Sequence, residues 1–510
     1  MKKQIAFLFV LVLLTVLPLT VSADGPKASE TGSPAATEGP ADNLVVRQHS
    51  AVIQGKKLDY TTVTGTMVVD TAGGQCEIFF TAYTLDATED LSSRPLTFAF
   101  NGGPGSSSEW MHMGFLGPRR VSTDQNGKIQ QYPVPIVDNE YSILDLTDLV
   151  FIDPVGTGYS HPADGVDSAE FLGYENDIRS VGDFIRLYVN RNNRWSSPKY
   201  LAGESYGTMR AIGLCKYLSD TYSMGLNGLL MVSSINDFSV IMEGEAPSDL
   251  AYALYLPTYA ADAWYHERLE ESYQTMQLED LLEEVRAFAG GDYMSALFRG
   301  RSLGAEEKNE IAARLAAYTG LKAEDYVKAN LRLNYRDFCV SLLEDQNLVI
   351  GRLDGRYTGP LTSGDIADGS SDPSDAALDN AFGTAVSQYI TEELDYHTDL
   401  AYVPISLEVN YSWDLPVDEL SGFRQEQTIH EQISKNRFLK VWVLGGYYDL
   451  ATPVGMVEWV YNHVFLNDGY DNNLQFSFYP SGHMIYLHEP SLAAFREQAE
   501  AWYTTAVTVP

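Results

Sequence analysis

Six short apolar runs constrain the fold of this chain more than any other feature. They are Leu96 to Phe100, Leu149 to Asp153, Tyr200 to Ala202, Leu229 to Ser233, Lys440 to Leu444 and Gln475 to Tyr479. Each is too short for a helix, so they read as buried strands. Helical spacing appears between some of them, as at Asp177, Val181, Phe184, Ile185 and Tyr188 ahead of Pro198. Buried strands alternating with helices predict an α/β fold: a mostly parallel central sheet with helices on both faces. Residues 44–95 alternate apolar and polar positions (Thr61 to Val69, Glu77 to Thr84) and read as antiparallel edge strands.

The stretch 240–400 is different. It offers helical segments at Leu278 to Ala289, Ala305 to Tyr318 and Ala377 to Leu394, broken by a Gly/Ser/Asp loop near Ser363 to Asp375. It reads as a largely helical insertion capping a core made of 44–239 and 401–510. The alternative is a separate downstream domain, which fails if the runs near 440 and 475 join the first sheet. At the start, Lys2 and Lys3 precede an apolar run from Ile5 to Leu14, and Val21-Ser22-Ala23 follows. This is the pattern of a secretory signal over 1–23, with Pro18 and the short run weighing against a retained anchor. Residues 24–43 hold Pro, Gly, Ser, Ala and acid and read as a flexible linker. The expectation is an exported protein, secreted or periplasmic, with no membrane span after cleavage.

Of the 510 residues 45% are hydrophobic, which excludes wholesale disorder. The net charge of −35 argues against nucleic acid or an anionic membrane surface as partner. The three cysteines, Cys76, Cys215 and Cys339, cannot make a disulfide framework and fit no zinc spacing; buried free thiols are the favoured reading. No His/Asp/Glu cluster has metal spacing, and no cofactor is expected.

Gly203-Glu204-Ser205-Tyr206-Gly207 follows the run ending at Ala202 and precedes a helix-compatible stretch from Thr208 to Leu218. A sharp strand-to-helix turn lifts a serine above the sheet edge, and the helix start offers unpaired N–H groups to a developing oxyanion. Asn101-Gly102-Gly103-Pro104-Gly105 follows another run. Three Gly and a Pro exceed what an ordinary turn needs, so this segment reads as the other half of an oxyanion hole. A serine nucleophile needs a base, and the base an orienting acid. Asp449 and His483 lie just past the runs ending at Leu444 and Tyr479. The order Ser205, Asp449, His483 is that of α/β-hydrolases. His49, His112, His266, His397, His430 and His463 read as structural, and His161 and His488 as weaker competitors. Asp153 also ends a run, but Pro154 to Gly158 read as a packing turn.

Together these segments resemble the serine carboxypeptidase family, peptidase family S10, in its bacterial branch. The matching stretches are Asn101 to Ser108, Asp153 to Ser160, Glu204 to Gly207, Gly446 to Asp449 and Ser481 to Met484, in the family's order. The resemblance implies an α/β-hydrolase with a helical cap that removes one residue from a peptide's free C-terminus. It implies Ser205 as nucleophile, His483 as base and Asp449 as orienting acid. It implies Gly103 and Tyr206 N–H groups on the oxyanion, and Asn101 and Glu204 on the substrate's terminal carboxylate. In many members a second Glu partners the first; Phe115 stands there, with Glu109, Arg119 and Arg120 as possible substitutes. Ser106 replaces a family cysteine. An esterase or acyltransferase on the same scaffold, or a binding protein with a dead site, stay open as alternatives.

Overall fold

The chain enters its sheet through three long antiparallel strands, β1 (Asn43–Ile53), β2 (Lys56–Thr71) and β3 (Gly74–Leu85). Six strands follow in sequence: β4 (Leu96–Phe100), β5 (Asp148–Ile152), β6 (Lys199–Glu204), β7 (Gly228–Val232), β8 (Lys440–Gly446) and β9 (Leu474–Tyr479). Their order across the sheet is β1-β2-β3-β5-β4-β6-β7-β8-β9, with His161–Pro162 added beside β3. From β5 to β9 every pair is parallel. The computed structural model describes residues 41–507, except 87, 89, 243–247, 362–371 and 416–422. The expected leader lies outside the described residues, as does the linker up to residue 40.

The six apolar runs are therefore the six parallel strands. Every residue of β4, β5 and β7 is buried, as expected of strands covered on both faces. Alternate residues feed two cores. Phe98 and Phe100 face the core shared with α1 (Tyr174–Arg191) and α2 (Tyr206–Tyr222). Ala99, Phe151 and Trp442 face the opposite core.

Between β7 and β8 the chain leaves the sheet and builds α3 (Asp249–Tyr265), α4 (Leu278–Phe288), α5 (Ala305–Thr319), α6 (Pro373–Gln388) and α7 (Glu426–Lys435). After β8 come α8 (Val454–Asn462) and α9 (Glu489–Val507), whose Phe495 and Trp502 join the second core. A third core gathers α3, α4 and α5 around Tyr448 and Leu450, so helices of the insertion pack on both neighbours of Asp449. The two late strands, β8 and β9, join the same sheet as the earlier ones.

Several expectations need adjusting. Helix α6 starts earlier than its apolar spacing suggests: Asp372 caps it by accepting Ser374 N–H, and Pro373 occupies the first turn. The expected loop ending at Asp375 therefore gives way at Asp372, and its residues 363–371 lie outside the described ones. A hairpin of Leu348–Ile350 and Thr358–Pro360 interrupts the insertion; strands of three residues show no readable alternation. Among the described residues no helix is long and apolar enough to cross a membrane.

Candidate active site

Ser205 sits at the turn between β6 and α2 with φ 57° and ψ −128°, a conformation costing about 1–3 kcal/mol for a residue with a side chain. The surroundings hold it there. Its N–H donates to Val232 O at 3.0 Å, and Thr208 N–H donates to Ser205 O at 2.9 Å. A Cβ at Gly203 would collide with Gly207 O, and one at Gly207 would come within 2.9 Å of Asn101 O. Both flanking glycines thus answer to close backbone approaches. All other residues from 201 to 210 are buried, so the turn lifts Ser205 alone toward solvent.

The Asn101–Gly105 turn lies alongside, because Phe100 pairs with Gly203 in register. A Cβ at Gly102 would stand 2.5 Å from Tyr206 N. Gly103 adopts φ +99°, which favours glycine. Tyr206 opens α2, so its N–H has no acceptor within the helix. Beneath the turn, buried Arg210 donates to Asp177 at 2.8 Å and to Asn101 O at 2.5 Å. It thereby ties the first residue of one turn to the helix behind the other.

His483 Nδ1 and Asp449 Oδ2 are 2.7 Å apart and both residues are buried. Asp449 also accepts from Ala451 N–H at 2.8 Å, Thr452 N–H at 2.9 Å and the Thr452 hydroxyl at 2.6 Å. Burial alone would raise the Asp449 pKa, but His483 and these donors hold it below the ordinary carboxylate value. Burial would likewise lower the pKa of His483; the charge and hydrogen bond of Asp449 outweigh it and hold the imidazole above its usual value. The imidazole loop is fixed by Ser233 Oγ donating to His483 O at 2.5 Å and His483 N–H donating to Leu353 O at 2.6 Å.

Glu204, adjacent to Ser205, is buried. Asn101 Nδ2 donates to its Oε2 at 2.8 Å, and the Tyr486 hydroxyl donates to the same oxygen at 2.9 Å. Asn101 Oδ1 accepts Met111 N–H at 2.9 Å, which fixes the amide orientation. Burial pushes the Glu204 pKa up to about 7, against the pull of His483 and the two donors. Asn101, Gly102, Gly103, Glu204, Ser205 and His483 all line one cleft of about 800 Å³. Among the described residues no three His, Cys, Asp or Glu side chains are placed to hold a metal ion.

A family model for serine carboxypeptidase matches residues 54–477. The chain belongs to the serine carboxypeptidase family. Among similar proteins is the pheromone-processing carboxypeptidase KEX1 of Yarrowia lipolytica, 30% identical over 238 residues, which cover 44% of this chain and 34% of that protein. Serine carboxypeptidase-like 29 of Arabidopsis thaliana is 30% identical over 164 residues, 30% of this chain and 32% of that one. These matches span about a third of the relatives' length. The crystal structure of KEX1(delta)p, a prohormone-processing carboxypeptidase from Saccharomyces cerevisiae, has a similar fold. It superposes with a TM-score of 0.55 and 16% identity, covering 87% of this chain and 91% of that one.

In this serine carboxypeptidase family member Phe115 stacks on Tyr486, ring centroids 5.0 Å apart, and the Tyr486 hydroxyl reaches Glu204. Arg119 and Arg120, candidates at the sequence level for receiving a carboxylate, do not line the cleft. A short hairpin carries Arg119 to Asp138 and Glu393 and Arg120 toward Glu489. Glu109 does line it. His112 is buried against Tyr83, His161 contacts Tyr159 O, and His488 contacts Ser491; none reaches the cleft. Asp153 lies buried under the Asn101–Ser108 segment and accepts Ser108 N–H at 2.8 Å, in keeping with a packing turn. Cys76, Cys215 and Cys339 are free and buried. Tyr486, which bonds Glu204, and Arg352 and the α6 face, which line the cleft, were not legible in the sequence, because only tertiary packing brings them there.

Proposed function

We propose that this chain is an exported serine carboxypeptidase that releases C-terminal amino acids from peptides through an acyl-enzyme. What supports the reading is one cleft lined at once by Ser205, by His483 with Asp449 behind it, and by the Asn101–Glu204 pair. Ser205 Oγ attacks the last peptide carbonyl while His483 Nε2 takes its proton, and Asp449 steadies the imidazolium. The Gly103 and Tyr206 N–H groups receive the oxyanion. His483 then protonates the departing amine, and water activated by the same imidazole hydrolyses the ester.

Asn101 and Glu204 hold the substrate's free carboxylate. Two carboxylates cannot share a hydrogen bond while both are charged, so Glu204 serves in its protonated form. Its raised pKa keeps that form populated toward neutral pH. Export rests on the leader pattern of residues 1–23. The test uses a fluorophosphonate probe and blocked peptides. Labelling should map to Ser205, and amino-acid release should stop in Ser205→Ala. Peptides with a free terminus should be trimmed far faster than their C-terminal amides. An enzyme that labels but prefers amides or simple esters would instead be an esterase on this scaffold.

A further inference from the structure

Asp262 on α3 is buried, and among the described residues neither of its carboxyl oxygens has a hydrogen-bond partner. Leaving a buried carboxyl unsatisfied is costly and uncommon, and the reaction above does not use this one. It presses on Gly355: a Cβ there would stand 2.0 Å from Asp262 Oδ1. Tyr448 O accepts the Gly355 N–H at 2.9 Å, and His266 Nε2 lies 2.7 Å from Gly355 O. These contacts fix Gly355 between α3 and the residue before Asp449.

Gly355 separates Asp354 from Arg356, and that turn reaches the His483 loop. Arg356 donates to both Asp354 oxygens, at 2.9 and 2.6 Å, and to Pro480 O at 3.2 Å. Leu353 O accepts His483 N–H at 2.6 Å. The charges acting on Asp262 are Asp354, Arg356 and Asp449. Burial lowers the pKa of neighbouring His266 and raises those of Tyr448 and Cys339, so these three are uncharged. Arg356 is thus the only cation among them, and Asp354 already occupies its fork. An ionised Asp262 would be a second carboxylate competing for one guanidinium. Burial and the two nearby acids hold the Asp262 pKa well above the ordinary carboxylate value. Resting on the reading of Ser205 as nucleophile and His483 as base, we propose that Asp262 is a positioning residue for His483. While Asp262 keeps its proton, Arg356 holds the turn on Pro480. Once Asp262 releases the proton to solvent, Arg356 turns to it and the His483 loop loses its brace.

The experiment follows the rate of fluorophosphonate labelling at Ser205 against pH, which draws on the imidazole and needs no substrate carboxylate. In the native enzyme the rate should rise as His483 loses its proton, then fall by about 10- to 100-fold on the alkaline side. Asp262→Asn keeps the shape and cannot ionise, so it should match the native maximum and show no alkaline fall. Asp354→Asn removes the competing acid, so its fall should begin at lower pH; this variant decides the matter if Asp262→Asn does not fold. A fall that survives in Asp262→Asn, or that stays in place in Asp354→Asn, would overturn the proposal. So would a native rate with no alkaline fall while circular dichroism shows the fold intact. Labelling that responds to Asp262, with no amino acid released from any peptide, would leave the positioning role standing and overturn the carboxypeptidase reading. No labelling of Ser205 at any pH would overturn both.

Discussion

The Tyr486 hydroxyl donates to the Glu204 carboxyl at 2.9 Å, and Phe115, standing where the family resemblance implies a second Glu, stacks on the same ring. The partner of Glu204 is therefore a neutral donor and not another acid. A donor bonded to the ionised form favours it, so Tyr486 works against the burial that raises the Glu204 pKa to about 7.

The pH profile follows from the sign of these shifts. If Glu204 holds the substrate's terminal carboxylate as proposed, it must be protonated to do so, and KM for free-acid substrates should rise as pH climbs through about 7. With His483 as the proposed base, catalysis needs its neutral form, and its raised pKa should make kcat fall on the acid side. For Tyr486→Phe, loss of the donor raises the Glu204 pKa, moving the KM limb upward by about one pH unit. Steady-state kinetics against pH checks this. A limb that stays in place, or an identical limb with C-terminal amides, would count against Glu204 as the carboxylate site.

Asp449→Asn tests the orienting acid. Asp449 takes three donors besides His483, so the amide would be held in place while presenting NH₂ or a neutral oxygen to Nδ1. The expected result is a fall in kcat of about three to four orders of magnitude with little change in KM. The His483 pKa, followed by NMR, should drop as the main group raising it is removed.

The parallel half of the sheet was legible because strands covered on both faces must be continuously apolar, as Leu96–Phe100 and Asp148–Ile152 nearly are. The positions of Ser205, Asp449 and His483 just past strand ends were legible for the same reason. Tyr486 was not, since it lies in a short turn, Ile485–Leu487, separated from Glu204 by 282 positions. Nor was the α6 face in the cleft: helical spacing shows that Asp375 and Asp379 share a face, but only packing decides what that face covers. Arg119 and Arg120 misled because they follow Gly117-Pro118 beside the expected site, while the hairpin that removes them has three-residue strands.

Arg210 and Asp177 form a fully buried ion pair under the two turns. Removing one partner strands the other charge, so Arg210→Met should destabilise the fold by about 3–5 kcal/mol. Adding Asp177→Leu should recover part of that loss. Thermal unfolding of the single and double variants measures it. Since Arg210 also holds Asn101 O at 2.5 Å, the double variant should regain stability without regaining full affinity for peptides.

The insertion braces the His483 loop directly. Arg356 pairs with Asp354 at 2.6 Å and donates to Pro480 O at 3.2 Å, while Leu353 O accepts His483 N–H. Gly482 packs so closely on Asp354 that a Cβ would overlap its side chain. Asp354 is pinned by Arg356 and cannot swing away, so Gly482→Ala must displace the His483 loop from the Asp354 turn. A shift of about 1 Å in a base lowers turnover by about a hundredfold. The expected signature is a large fall in kcat and in labelling rate at Ser205, with KM for free-acid peptides nearly unchanged because Asn101 and Glu204 sit on other strands. A rise in KM with kcat intact would place the brace on substrate binding instead of on the imidazole.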